Sequence, residues 1–468
     1  METLQRTANS GSVSTGYDVD NSLKFERANA EAIETTNQAA GNKKTWTFSA
    51  WIKRTELSKD YHTVFGSGYT AIKLMEQDNI RVELYDGSNT RYADTANLLR
   101  DTAAFYHIVV ALDSTDGTAA DRVKIYINGV RVTSFSNTTY TNMTQNDEFG
   151  LGYAGSAGSE RYLRLGRYFD GAEGFSGYMS DVYYLNGTAE DADAFGETDE
   201  DSGIWKPKKY TGSGFGTQGF KYEFKDSSAL GTDTSGEGHD ANSLNAIAAI
   251  DQATDTPTNN FATLNPLQKF SGTASNNPIL TEGATVHTST LDDYWQTSIA
   301  TIGVTSGKWY FEAKILDDNT PLVMVGVGDE GDIPTWGWGN GYLGAGKSVS
   351  YSSGSSAYTD SNVIGMAVDV DNGKVYWAKD NTYINSGNPA GNANGTALPT
   401  GGVSNGTYFI GVSGYKDDAA VLQVNFGGYH ANSLSSAASD GNGYGTFEFA
   451  PPSGFYALCT KNLAEFGG

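Results

Sequence analysis

The sequence predicts an all-β protein built as two antiparallel β-sandwiches, and three observations carry that reading. Two hairpin patterns, residues 122–132 and 364–377, alternate apolar and polar residues around Asn128-Gly129 and Asn372-Gly373, the dipeptide that suits a two-residue type I′ turn. The composition pairs 57 Gly and 28 Tyr with only 10 Pro, which suits short strands separated by turns. Helical periodicity is nearly absent; residues 243–253 form the best short helix candidate.

Residues 1–17 read as a polar N-terminal arm. Residues 18–195 read as the first sandwich. Within it, residues 45–53 alternate so that Trp46, Phe48, Ala50 and Ile52 share one face, and residues 105–112 form the next strand. In the first hairpin Ile127 faces Val130 and Ile125 faces Val132, while Lys124, Tyr126 and Arg131 point away. Residues 177–185 close the unit. Residues 196–281 are punctuated by Gly, Asn, Thr and Pro and hold one strand-like piece, 219–224; they are expected to be a connector packed on the first sandwich. Residues 282–468 read as the second sandwich, with strands at 307–315, 323–327, the second hairpin, 408–412 and 421–426. In that hairpin a two-residue turn would set Val370 opposite Val375, Val368 opposite Trp377 and Asp371 opposite Lys374. A one-residue slip would turn either apolar face to water, so each face is strongly specified.

The chain carries 31 basic and 55 acidic residues, a net charge of −24. Such a surface repels phosphate backbones, so no nucleic-acid partner is expected. No apolar run approaches the ~18 residues of a membrane helix, and no membrane insertion is expected. Cys459 is the only cysteine, which excludes an intramolecular disulfide and a cysteine-rich zinc site. Residues 1–21 are polar and lack the apolar core of a secretory signal. Assembly in a reducing cytoplasm is therefore expected.

Several segments carry a family resemblance. Residues 46–53, 105–110, the 126–130 hairpin and 175–182 resemble a concanavalin A-like, laminin-G-type jelly roll. Residues 306–312 and 363–369 resemble a SPRY domain. The whole chain, about 18–463, is similar to virion proteins of marine bacteriophages that join these two modules. The phrases at 195–199, 205–208, 255–261, 263–267 and 457–463 carry that likeness most specifically, because packing does not force them. The resemblance implies a concanavalin A-like jelly roll followed by a SPRY-like sandwich. It also implies a non-enzymatic virion structural protein, in the tail, a fibre or the capsid surface. Loops of the sandwiches would meet host-surface glycans or neighbouring virion proteins. A homo-oligomer is expected, a trimer first, located in the virion after assembly in the host cytoplasm. Two alternatives stand beside this: a concanavalin-like glucanase, and a capsid decoration protein with no ligand beyond the particle.

Chemistry-bearing patterns are few. Residues 341–348 match the phosphate-binding loop letter for letter, with Asp369 as a nominal magnesium partner, but the flanking residues offer neither the buried strand nor the helix that motif needs. Glu197-Thr198-Asp199 begins like the Glu-x-Asp-x-x-Glu strand of glucanases, yet Ser202 stands at the second Glu. The five histidines show no metal spacing, and His107 is expected to be packed in its strand. Asp226, Asp233 and Asp240 surround a Gly/Ser turn whose oxygens could hold Ca2+, the one possible cofactor, although none is required; the same carboxylates could instead cap their own turns. Trp336, Trp338 and Tyr342, with Tyr351 and Tyr358 nearby in sequence, are Gly-spaced rings suited to stacking on a sugar or a partner, or to a satellite core.

Overall fold

The computed structural model describes residues 16–35, 41–57, 60–149, 151, 162–271, 277–290, 295–317, 322–329, 360–398, 406–415 and 420–467. Among these, Thr460–Phe466 is the only α-helix and the remaining regular structure is strand with short 3-10 turns. Two compact units emerge, Val13–Thr258 and Asn259–Gly468. The division falls earlier than the expected residue 282. Leu264–Ser271 pairs with Trp295–Val304, and Ile279–Thr281 pairs with Val286–Thr288, so residues 259–281 build the second unit.

The first unit holds two eight-stranded sheets. One runs in the order Val130–Arg131, Val123–Ile127, Tyr106–Asp113, Thr45–Arg54, Gly177–Asn186, Ser22–Phe25, Gln252–Ala253, with Phe220–Tyr222 also on Gly177–Asn186. The other runs Phe135–Asn137, Thr90–Leu98, Asn79–Tyr85, Thr70–Leu74, His62–Ser67, Arg164–Leu165, Ala32–Thr35, Ala241–Leu244. Their facing sides share one core, in which Trp46, Phe48, Ala50 and Ile52 meet Phe65, Ile72, Val82 and Leu84. The Asn128-Gly129 turn has φ of 48° and 79°, the double positive φ of type I′, and Val130 faces Ile127 in the expected register.

The other side of the first sheet is buried as well. Thr47, Ser49, Trp51 and Lys53 are at most 4% exposed. Ala192, Phe195 and Tyr210 cluster there with Val109, Tyr126, Tyr183 and Leu185, so Tyr126 points away from the main core yet is not in water. Charges on this side are paired: Lys53 reaches Asp255 at 2.8 Å and Lys24 reaches Asp251 at 2.8 Å. The helix candidate at residues 243–253 forms no α-helix, only the single 3-10 turn Ala249–Asp251. Ser243 and Leu244 pair with Ile33 and Ala32 as an edge strand, and Gln252–Ala253 pairs with Ser22 and Leu23. Sheet hydrogen bonds and burial of Ile247 outweigh a weak local helical preference.

The second unit stacks a four-stranded sheet and a nine-stranded sheet around a core that includes Trp309, Phe311, Val325, Met366, Val368, Trp377 and Val424. Among the described residues of this unit pairing is antiparallel except for Tyr456–Ala457, which runs parallel to Lys308–Asp317. The second hairpin differs from expectation. Val368 pairs with Val375, Met366 with Trp377, and Asp369, not Asp371, faces Lys374. The connection is therefore residues 370–373. Asp369 accepts the Asn372 backbone N–H at 3.0 Å, which favours this wider turn, and Asp371 turns to the Gly307 N–H at 2.7 Å. The register shift is two residues, so the faces are unchanged and the same apolar side chains enter the core.

Candidate functional site

The outer face of the second sheet of the first unit carries a mosaic of rings and charges that strand register assembles. Lys73 on Thr70–Leu74 faces Arg81 on Asn79–Tyr85, and Arg81 faces Asp94 on Thr90–Leu98. One row along, Ala71 faces Glu83 and Glu83 faces Tyr92. The intervening residues Ile72, Leu74, Ile80, Val82, Leu84 and Ala93 are core. Strict alternation thus puts every one of these polar and aromatic groups on one surface.

Ion pairs and rings hold this surface in one geometry. Arg81 makes a two-pronged contact with Asp94 at 2.8 and 2.7 Å and lies 4.5 Å from the Tyr92 ring centre. Lys73 bonds Glu83 at 2.9 Å and Glu173 at 2.7 Å, and its ammonium sits 3.6 Å from the Tyr168 ring centre. Tyr69 packs edge-on against Tyr85 and Phe169 at 5.0 and 4.9 Å. Tyr69 is 46% exposed, while Tyr61, Tyr85, Tyr92 and Phe169 are half-buried. The result is a rigid, laterally continuous face of aromatic edges, carboxylates and a guanidinium. Such a face can stack on an apolar ring face and hydrogen-bond hydroxyls around its rim. Sequence reading missed it because Lys73, Arg81, Glu83 and Tyr92 belong to three strands. The available signal was the alternation through residues 79–85, whose outward members are Arg81, Glu83 and Tyr85.

The sites expected from sequence fare differently. Trp336, Trp338, Tyr342, Tyr351 and Tyr358, and the phosphate-loop match at 341–348, lie outside the described residues. Asp226 accepts the Ser228 N–H and hydroxyl, which lowers its pKa. Asp233 accepts four hydrogen bonds, from the backbone N–H groups of Lys221, Ser235 and His239 and from the Ser235 hydroxyl. Those bonds cap the turn and occupy both carboxylate oxygens. Asp240 accepts the Asp233 N–H and lines an open polar cleft of about 350 Å3 with Ser228, Thr232, Asn242 and Ser243 beside the edge strand Ala241–Leu244. Glu197 and Asp199 sit in and just after Gly196–Thr198, hairpinned to Trp205–Pro207, and Asp199 is tied up by Ser202 and Lys206.

His107 is fully buried between Trp51 and Trp205. The Trp205 indole N–H donates to Nδ1 at 2.9 Å, so Nε2 carries the hydrogen and donates to Ser49 Oγ at 2.9 Å. The ring therefore cannot take a proton from Ser49, and the pair is not a nucleophile and base. Burial pushes His107 and His62 down to about 3, below the ~6.5 of a free imidazole. Their stabilising contribution is complete above pH ~6.5 and is lost as pH falls towards 3, because the unfolded chain binds protons that the folded unit refuses. In the second unit Glu312 behaves oppositely. Burial lifts it to about 7, although the N–H groups of Glu448 and Phe449 and the Tyr310 hydroxyl favour its charged form. Its contribution is complete below pH ~4.5 and is lost as pH rises through about 7. Denaturant titrations across pH should accordingly show acid loss that shrinks in His107→Gln, and a neutral-side loss that shrinks in Glu312→Gln. Unchanged slopes in both variants would refute these assignments.

Cys459 is buried, and burial pushes its thiol up to about 12, which leaves it unreactive. No helix among the described residues is long and apolar enough to cross a membrane.

Solved structures with partial likeness include a protein described as carbohydrate-binding from Bacteroides ovatus, 16% identical, with 48% of this chain and 58% of that chain covered and a TM-score of 0.34. The SPRY domain of human HERC1 is 14% identical, over 34% of this chain and 96% of that one, with a TM-score of 0.24. Tailspike protein 2 of an Escherichia coli O157:H7 bacteriophage is 18% identical, over 37% of this chain and 23% of that one, with a TM-score of 0.28. The chain thus spans little more than half of the Bacteroides ovatus protein. No curated protein matches the chain. Residues 27–193 match the laminin-G family model described as the concanavalin A-like lectin/glucanases superfamily, and the first unit contains a concanavalin A-like domain.

Proposed function

We propose that this chain is a non-enzymatic structural and recognition component of a bacteriophage particle, binding host-surface glycan on the outer face of the strands Thr70–Leu74, Asn79–Tyr85 and Thr90–Leu98. The observation that carries the glycan reading is the ring-and-charge mosaic around Tyr69, Lys73, Arg81 and Tyr92, pre-ordered by its own ion pairs. Pre-ordering lowers the entropy cost of binding a flexible sugar. The particle setting rests on the resemblance of the linker and terminal phrases to those of phage virion proteins. A homo-oligomer, a trimer first, and contacts to other virion proteins belong to the same reading. No cofactor is required by this reading, and Ca2+ at Asp226, Asp233 and Asp240 is the one that it would accommodate.

A glucanase reading has one specific observation in its favour: Glu83 and Glu173 both reach Lys73 on the outer face of a concanavalin-like sheet. Glycoside hydrolysis needs two carboxyl groups flanking the scissile oxygen, with room for the sugar between them. Here the Lys73 ammonium occupies that position, bonded to both. Binding without cleavage is the better match.

The test is a printed array of bacterial surface polysaccharides probed with the wild-type chain and with Tyr69→Ala/Tyr85→Ala. Binding should fall at least ~10-fold, the equivalent of about 1.4 kcal/mol, with melting nearly unchanged because Tyr69 is 46% exposed. Undiminished binding by the variant would move the site elsewhere, and sugar release from a bound polysaccharide would favour the enzyme. Immunogold labelling of intact particles tests the virion assignment separately.

A further inference from the structure

A lysine lies between two carboxyl groups in the dry interior of the first unit. Lys24 is on Ser22–Phe25, Asp251 ends the turn Ala249–Asp251, and Glu31 precedes Ala32–Thr35. The Lys24 nitrogen is 2.8 Å from Asp251 Oδ1, and 3.2 and 3.1 Å from Glu31 Oε1 and Oε2. The side chains of Lys24, Glu31 and Asp251 are 1%, 1% and 5% exposed. Each carboxyl is held in place by the fold. The Ala248 N–H donates to Asp251 Oδ2 at 2.8 Å, the Glu26 N–H to Glu31 Oε2 at 2.7 Å, and the Asn29 amide to Glu31 Oε1 at 3.1 Å.

Two carboxylates crowded on one ammonium in a site without solvent are costly to keep fully charged. Burial raises the pKa of Glu31, and Lys24 and Asn29 do not fully reverse that. In a dry site an ammonium and a carboxylate in contact can pass one proton between them and become an amine and a carboxylic acid.

We propose that Lys24 and Asp251 condense into an intramolecular isopeptide bond, with Glu31 moving the protons. Nζ of the neutral Lys24 attacks Cγ of the Asp251 carboxylic acid. Glu31 gives its proton to the departing Oδ1 hydroxyl and receives one from Nζ. The Nζ–Cγ bond forms, the Cγ–Oδ1 bond breaks, and one water leaves; no oxidant or cofactor enters. Oδ2 becomes the amide oxygen and keeps its bond from the Ala248 N–H. Condensation in water is unfavourable, but here Nζ is held 2.8 Å from an oxygen of the carboxyl it would attack, and the product replaces two buried charges with one neutral amide. The bond would tie strand Ser22–Phe25 covalently to the segment that covers it, in a chain whose single cysteine can form no internal disulfide.

Tryptic peptide mapping of the full-length chain by mass spectrometry is decisive. An amide at Lys24 blocks cleavage there, so the expected product is one branched peptide, residues 7–27 joined to 226–269, lighter than the two together by one water. Glu31→Gln should lose the branched peptide while keeping the circular dichroism spectrum. Asp251→Asn should form the same branched peptide with loss of ammonia instead of water. The wild-type chain decides even if a variant misfolds. Separate peptides 7–24 and 226–269 from the folded wild-type chain would overturn the proposal. So would a branch from peptide 45–54, which would place the bond at Lys53 and Asp255. A branched peptide that persists in Glu31→Gln would remove Glu31 from the reaction.

Discussion

Val368→Asp is expected to destabilise the second unit by about 4 kcal/mol or more, the range reached when a buried apolar contact is replaced by an unpaired charge. Val368 is fully buried in the core with Met366, Val375 and Trp377. Its cross-strand neighbours on the hydrogen-bonded ladder are Trp309 and Val375, and neither offers a cation. The control is Lys374→Ala. Lys374 faces Asp369 across the hairpin, but Asp369 keeps its bond to Lys308 at 3.0 Å and to Asn372, and Lys374 itself only donates to the Asn392 carbonyl. That change should cost about 0.2–1 kcal/mol. Comparable losses for the two variants in denaturant titration would mean that the faces of the hairpin are misassigned.

Asp255→Ala should cost the first unit roughly 3–5 kcal/mol, because it removes a carboxylate 2.8 Å from a buried ammonium. Lys53 and Asp255 are 0% and 1% exposed and 2.8 Å apart, and Lys53 lies between the rings of Phe105 and Tyr178 at 5.9 Å from each centre. Those rings soften the loss without replacing a carboxylate. Pairing the change with Lys53→Met should recover most of the stability, since an apolar chain of similar length removes the buried charge. A double variant as unstable as Asp255→Ala would show that the loss comes from packing and not from charge. The pair also bears on the architecture, because Asp255 belongs to a stretch read from its composition as a connector, yet it neutralises the central strand Thr45–Arg54.

Local pattern was sufficient for the fold class and for the faces of most strands. Trp46, Phe48, Ala50 and Ile52 alternate, and one side of a pleated strand must then be apolar. Asn128-Gly129 can take two positive φ values in succession, and that suffices to set the Ile127–Val130 register. The second hairpin shows where this stops. Its faces were legible because period two survives a shift of two residues, but its register depended on Asp369 capping Asn372, a choice between near-equal turns made by a side-chain hydrogen bond.

An all-β chain, two sandwiches, a strongly negative net charge and the exclusion of an intramolecular disulfide were legible in the residues alone, because each follows from period, composition or counting. The rest depended on residues distant in sequence meeting in the fold. Burial of both sides of the first sheet depends on residues 192–258 returning over strands far away in sequence, which no local window contains. The mosaic of Lys73, Arg81, Glu83, Tyr92 and Tyr168 exists because register aligns separate strands, so its members carry no motif. Lys24, Glu31 and Asp251 likewise look like ordinary surface charges in the sequence. Their chemistry comes from meeting within hydrogen-bond distance where water is excluded, which raises the cost of charge and makes proximity reactive.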